Sequence, residues 1–212
     1  MNTQLKKLLR GKKACDPGSH LSLKKKNGSI TKGAVKIGEG PYGKVYRGCV
    51  DNGCKKFVVY KEIKQPRLTE KTNNVPLAGF VNAIKSVNPK MEFTIAKKLE
   101  NYGVPKVYLH KTCDGKDYLY SEFIDGEELD KWFRTRPTLD AVRSVMAQII
   151  YNLYRIHKKY PGFRHHDLHG GNIMVRKVPN KDIQITMNKK YSIPNGGVEA
   201  VIIDFGFSTF PR

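Results

Sequence analysis

Four short segments in a fixed order constrain this chain more than its composition does. The first, Gly38-Glu39-Gly40-Pro41-Tyr42-Gly43-Lys44-Val45, sets three glycines between runs of strand-forming residues. The second, Val58-Val59-Tyr60-Lys61, is a strand-forming run that ends on a lysine. The third, His165-His166-Asp167-Leu168-His169-Gly170-Gly171-Asn172, places an aspartate five residues before an asparagine. The fourth, Asp204-Phe205-Gly206, follows the apolar run Val201-Ile202-Ile203. Glycines let backbone amides approach an anion, and a lysine supplies a point charge. Carboxylate and amide oxygens are hard ligands for a divalent cation. The set therefore points to machinery that handles a polyanion and a metal.

Local patterns place these segments on elements. Val45 to Val50 and Lys56 to Lys61 are rich in strand formers, and Asp51-Asn52-Gly53 between them has turn chemistry, which predicts a hairpin. That hairpin excludes two other phosphate loops. A P-loop needs Ser or Thr where Val45 stands and a helix after it; a dinucleotide loop needs a helix as well. A polar loop at 69–74 leads to a short helix near 77–86. A second helix begins with Asn88 as cap and Pro89 in its first turn. Met91, Ile95 and Leu99 form its apolar stripe, and Gly103 stops it. Residues 107–109 and 118–123 predict paired strands around Asp114-Gly115. A helix over 139–158 buries Val142, Val145, Met146, Ile149, Leu153 and Ile156. Residues 173–175 and 201–203 predict short buried strands, with a polar, Pro- and Gly-containing stretch between them.

With 212 residues and 39% hydrophobic content, the chain is long enough for one or two domains with a real core. No apolar run nears the roughly 18–20 residues of a membrane helix, and the N-terminus has no apolar signal region. The expected location is intracellular, cytoplasm or nucleus. Cysteines at 15, 49, 54 and 113 are scattered. Cys49 and Cys54 flank the hairpin turn and can face each other, but reduced thiols are the expectation for a protein without export signals. The net charge of +20 attracts polyanions, namely nucleic acid, acidic proteins, anionic lipid or ATP. Part of that charge lies in the first 30 residues, which carry eight Lys/Arg and one acid, Asp16. There Leu5, Leu8 and Leu9 have helical spacing. Three histidines at 165, 166 and 169 also raise zinc, which needs a fourth ligand and a consistent geometry; the neighbouring motifs explain Asp167 and Asn172 without it.

Lys61 needs a carboxylate partner. Glu92 shares a helix face with Ile95 and Leu99 and should point inward. Glu62 and Glu70 are alternatives, but Glu62 follows Lys61 directly in a strand and should face the other way.

These motifs resemble the protein-kinase-like superfamily over about residues 35–210. The resemblance implies an α+β, bilobal fold with three parts: a basic N-terminal arm at 1–33, a β-rich N-lobe at 34–124, and a truncated helical C-lobe at 125–212. It implies ATP and Mg²⁺ as cofactors. Ile37, Gly38, Glu39, Gly40, Gly43 and Val45 would hold the nucleotide with Lys61 and Glu92. Glu122 and Ile124 would offer hinge groups to adenine beside Ser121, and Glu128 would bond the ribose. Asp167 would be the catalytic carboxylate, acting with Lys61 and Asn172, and Asn172 and Asp204 would hold the metal.

Three features depart from the family pattern. His166 stands where the family usually has an arginine that serves phosphorylated activation loops. His169 stands where Ser/Thr protein kinases usually carry a lysine. The activation segment and later helices do not follow Gly206. The expected function is a Ser/Thr protein kinase acting on protein substrates, with acidic or nucleic-acid-associated partners for its basic surface. A small-molecule kinase of aminoglycoside or choline type is the alternative, as is a kinase-like binding or virion component with little catalysis. The compact form is similar to kinase-like proteins of large DNA viruses, some packaged in virions.

Overall fold

The structure is a computed structural model that describes residues 14–40, 43–51, 53–64 and 88–210. The predicted helix near 77–86, the leucines of the first ten residues, Tyr42 and Glu70 lie outside the described residues. The chain divides into two units. One comprises Met1–Phe93 and Lys106–Phe123, the other Thr94–Pro105 and Ile124–Arg212.

The first unit is built on one sheet. Its strands are β1 (Ser22–Lys24), β2 (Ile30–Lys32), β3 (Val35–Gly40), β4 (Gly43–Cys49), β5 (Phe57–Lys64), β6 (Val107–Cys113) and β7 (Lys116–Glu122). The order is β2-β1-β4-β5-β7-β6, with β3 also paired to β4. All pairings are antiparallel. The β6–β7 hairpin turns on Asp114 at φ 49° and Gly115 at φ 75°. Two left-handed residues match the twist of the flanking strands, which is why an Asp-Gly pair stands there.

Register decides which side chain faces where. Val45, Lys61 and Leu119 lie opposite one another on adjacent strands and so share a face. Tyr46, Tyr60 and Tyr120 are the next set and share the other face. The rings of Tyr46 and Tyr60 stack at 4.9 Å. Against this tyrosine face packs the segment from Ala14, through the one-turn helix α1 (Pro17–His20), to Leu21. The Tyr120 hydroxyl donates to the Ala14 carbonyl at 2.6 Å. A side chain at Gly48 would strike Leu21, so the glycine is what lets Leu21 seat. Residues 14–32 of the expected arm are thus built into this unit.

The cysteine expectation is corrected. All four cysteines are paired: Cys15 with Cys113, Cα atoms 5.7 Å apart, and Cys49 with Cys54, 5.0 Å apart. The first pair forms because the N-terminal segment returns to β6 across 98 residues. The second forms because the turn after β4 carries Cys54 back beside Cys49, with the Asp51 carboxylate accepting the amides of Lys55 and Lys56.

Helix α2 (Pro89–Leu99) starts as predicted: the Asn88 side chain accepts the Met91 amide at 3.1 Å. Its stripe differs. Ile95 and Leu99 are buried, but Met91 is half exposed, because the first turn buries Glu92 instead.

The second unit has α3 (Leu129–Arg134) and α4 (Leu139–Lys159). A three-stranded sheet of β8 (Gly126–Glu128), β9 (Ile173–Lys177) and β12 (Val198–Ile202) runs in the order β12-β9-β8. The hairpin β10 (Asp182–Thr186) and β11 (Lys190–Pro194) fills the polar interval between β9 and β12. Thr138 caps α4 through the Ala141 amide. Val145, Ile149 and Ala141 of α4 pack with Leu129, Trp132, Ile173, Val175, Val198 and Ala200 into one core. Met146, expected in that face, is exposed. Gln148 occupies the core side instead, its amide bonding the backbones of Val198 and Ala200.

Candidate active site

Within the first unit, the sheet face that carries Val45 also carries Lys61. The Lys61 Nζ lies 3.1 Å from Glu92 Oε1 and 3.4 Å from Oε2. Glu92 is 4% exposed and Lys61 is 16% exposed on their side chains. A carboxylate this buried needs a cation, and the lysine meets it at the first turn of α2. Glu62, one residue on, points the other way and pairs with Lys116 at 3.1 Å. Strand parity thus separates the two glutamates as the sequence predicts.

The glycine strand β3 and β4 pair as Gly38↔Val45, Glu39↔Lys44 and Gly40↔Gly43, with a register shift between Lys36 and Gly38 that leaves Ile37 exposed. Glu39 is held by Lys36 at 2.6 Å and Lys44 at 3.5 Å. Its carboxyl is lowered below the usual range first by the Lys36 hydrogen bond. Glu122 lies at the end of β7, its amide donating to the Lys106 carbonyl and its carboxylate accepting the Lys106 amide.

The same face of β6 and β7 holds a polar cluster that sequence reading missed. Asp117 is buried and accepts from Thr112 Oγ1 at 2.7 Å, and His110 Nε2 lies 2.7 Å from the same oxygen. The ring of Phe93, next to Glu92, packs on His110 at 6.4 Å. Only the alternation of His110 and Thr112 along one strand face hints at it.

In the second unit Asp167 and Asn172 are brought together. Asn172 Nδ2 donates to the Asp167 carbonyl at 2.8 Å and to its Oδ2 at 3.1 Å. With its nitrogen committed in this way, Asn172 has its amide oxygen to offer a cation. The turn Gly170–Asn172 is a 3₁₀ helix, and a Cβ at Gly170 would strike the Asp130 carboxylate of α3. The Ile203 amide donates to the Asn172 carbonyl at 2.9 Å, which fixes the residue before Asp204 to this loop. Asp204 is exposed, at φ 60°, and its Oδ1 accepts the Gly206 amide at 3.2 Å. A carboxylate and an amide oxygen are donors of the kind that Mg²⁺ takes, and Asp204 and Asn172 each carry one. Ile124 is buried, its carbonyl accepting from Gly126, and the Glu128 carboxylate lies 3.0 Å from Lys131.

The three histidines go to three places. His165 is buried and its Nε2 donates to the Ile203 carbonyl at 3.2 Å, while Nδ1 has no hydrogen-bond partner among the described residues. Burial pushes its pKa below the ordinary value. Its ring packs on Phe205 at 5.2 Å. His166, in left-handed backbone at φ 64°, meets Thr209 Oγ1 at 2.9 Å. His169 accepts the Gly171 amide on Nδ1 and lies 3.2 Å from the Asn172 amide.

A buried lysine–glutamate pair on a strand–helix contact and an Asp–Asn loop tied to an Asp-Phe-Gly turn are the parts of a kinase fold. Residues 32–211 match the protein kinase domain, and the chain belongs to that family. Among its relatives is a serine/threonine-protein kinase of Acanthamoeba polyphaga mimivirus, 29% identical over 150 residues, which covers 64% of this chain and 32% of that protein. The serine/threonine-protein kinase haspin of Bos taurus is 32% identical over 88 residues, 41% of this chain and 11% of haspin. The dual specificity protein kinase zakA of Dictyostelium discoideum is 26% identical over 181 residues, 82% of this chain and 18% of zakA. The chain thus spans a third or less of the length of these relatives. Among the described residues no helix is long and apolar enough to cross a membrane.

Proposed function

We propose that the chain is a Ser/Thr protein kinase that transfers the γ-phosphate of ATP to protein hydroxyls with Mg²⁺. The observation that carries this reading is the bonding of Asp167 to Asn172 in a loop tied to Ile203. It supports Asp167 as the carboxylate for the acceptor hydroxyl and Asn172 and Asp204 as oxygen donors for a metal. Asp167 orients the hydroxyl and takes its proton. The acceptor oxygen attacks the γ-phosphorus, the bond to the β–γ bridging oxygen breaks, and ADP leaves. Lys61, held by Glu92, supplies positive charge to the α- and β-phosphates, and the glycine strand supplies backbone amides. Asn172 and Asp204 hold the Mg²⁺ that offsets phosphate charge. Ile37, Val45, Glu122, Ile124 and Glu128 serve the nucleoside. The names of the relatives support hydroxyl groups of proteins as acceptors.

The test is transfer of labelled γ-phosphate to Ser/Thr proteins and, in parallel, to small-molecule alcohols. Lys61→Met and Asp167→Asn should each abolish transfer while the protein stays folded. Full activity in Asp167→Asn removes the assigned role. Exclusive labelling of small molecules replaces the protein acceptor.

A further inference from the structure

The second unit carries a surface strip in which aromatic rings and cations alternate. Tyr151, Tyr154, Arg155 and Lys158 lie on one face of α4 because they follow helical spacing. Lys158 Nζ stands 5.9 Å over the Tyr154 ring. The Tyr154 and Tyr151 rings lie within 16° of parallel, centroids 6.5 Å apart. The Arg155 guanidinium sits between Tyr151 at 5.6 Å and Tyr102 at 4.9 Å, fixed by its bond to the Asn101 carbonyl at 2.9 Å. Tyr102 meets Tyr160 edge-on at 6.3 Å. Phe210, with Lys98 5.0 Å above it, extends the strip from Tyr160.

None of these rings is fully buried. Among the described residues, no carboxylate pairs with Lys98, Arg155 or Lys158. In a chain of net charge +20, cations grouped without acids repel one another and raise the local potential. A purely structural ring cluster has no use for that potential. A partner with regularly spaced negative charge and flat faces uses both features. Duplex nucleic acid has the charge but hides its base faces in the stack, and an acidic peptide has the charge without the faces. Single-stranded nucleic acid has both. We infer that this strip binds single-stranded nucleic acid, with phosphates on Lys98, Arg155 and Lys158 and bases stacked on the tyrosines.

The test is fluorescence anisotropy with a labelled 16-mer of deoxythymidine, the full chain and a salt series. Three phosphate contacts predict that log K falls against log salt with a slope of about −2. Tyr154→Ala should weaken binding on the order of tenfold, and Tyr154→Trp should retain it. Lys158→Glu should weaken binding and flatten the slope. Circular dichroism and the phosphotransfer assay should be unchanged in all three, so lost binding cannot be read as misfolding. Four results overturn the proposal: no binding at 50 mM salt, equal binding of a duplex, tighter binding of an acidic peptide, or heparin-like binding that Tyr154→Ala leaves untouched. The last would mean that charge alone acts. None of them bears on phosphotransfer, which is measured separately.

Discussion

Breaking the Cys15–Cys113 pair should cost the protein more than breaking Cys49–Cys54. The two bonds close loops of very different size, with sequence separations of 98 and 5. In the chain-entropy account, the longer cross-link removes about 4.7 kcal/mol of freedom from the unfolded chain, and the shorter about 2 kcal/mol. The longer bond also clamps the Ala14–Leu21 segment over the Tyr60, Tyr118 and Tyr120 face, so its loss frees contacts as well. A protein of 150–250 residues shifts its melting temperature by roughly 2–4 °C per kcal/mol. The Cys15→Ser/Cys113→Ser variant should therefore melt about 10 °C or more below wild type, and Cys49→Ser/Cys54→Ser by clearly less. Differential scanning calorimetry measures both, and limited proteolysis should cut the first variant near residues 14–24. Mild reductant should open the first pair before the second, because Cys49 and Cys54 are buried while Cys15 and Cys113 are partly exposed. If the two variants melt together, the loop-closure reasoning fails.

Three further outcomes follow from the geometry. Lys61→Met leaves a 4%-exposed Glu92 carboxylate without its lysine and should cost about 3–5 kcal/mol. Adding Glu92→Gln should recover part of that loss, and additivity within about 0.5 kcal/mol in a denaturation cycle would show no coupling. His165 has its folded pKa held below the ordinary 6.5, first by burial. The unfolded state therefore takes up a proton that the folded state refuses, and stability falls as pH drops below about 6.5. Urea unfolding of wild type and His165→Phe between pH 7.5 and 5 should show this slope only in wild type. Gly103 sits at φ 70°, and a Cβ there would strike Asn152. Gly103→Ala should destabilise by more than about 1 kcal/mol, and adding Asn152→Ala should relieve part of it in a thermal melt.

Much of the molecule was legible along the chain because its signals are local. Asn88 and Pro89 mark the start of α2, Asp114-Gly115 marks the β6–β7 turn, and the 3.6-residue stripe marks α4. The helix face shared with Ile95 and Leu99 pointed to Glu92 as the partner of Lys61, and strand parity turned Glu62 away, since neighbours in a strand face opposite ways. The five-residue step from Asp167 to Asn172 is short enough that one tight turn joins them.

What lay beyond the sequence depends on contacts between distant segments. Local periodicity has no information on which edge of a sheet an N-terminal segment will join. Hence Cys15 meeting Cys113, and Ala14 under Tyr120, were decided by packing. The same holds for Met91 and Met146, apolar residues at helical spacing that ended exposed because Glu92 and Gln148 took the inward positions beside partners from other elements. A side chain's burial is set by what covers it, and for these residues the cover comes from strands and turns that only the folded chain brings near.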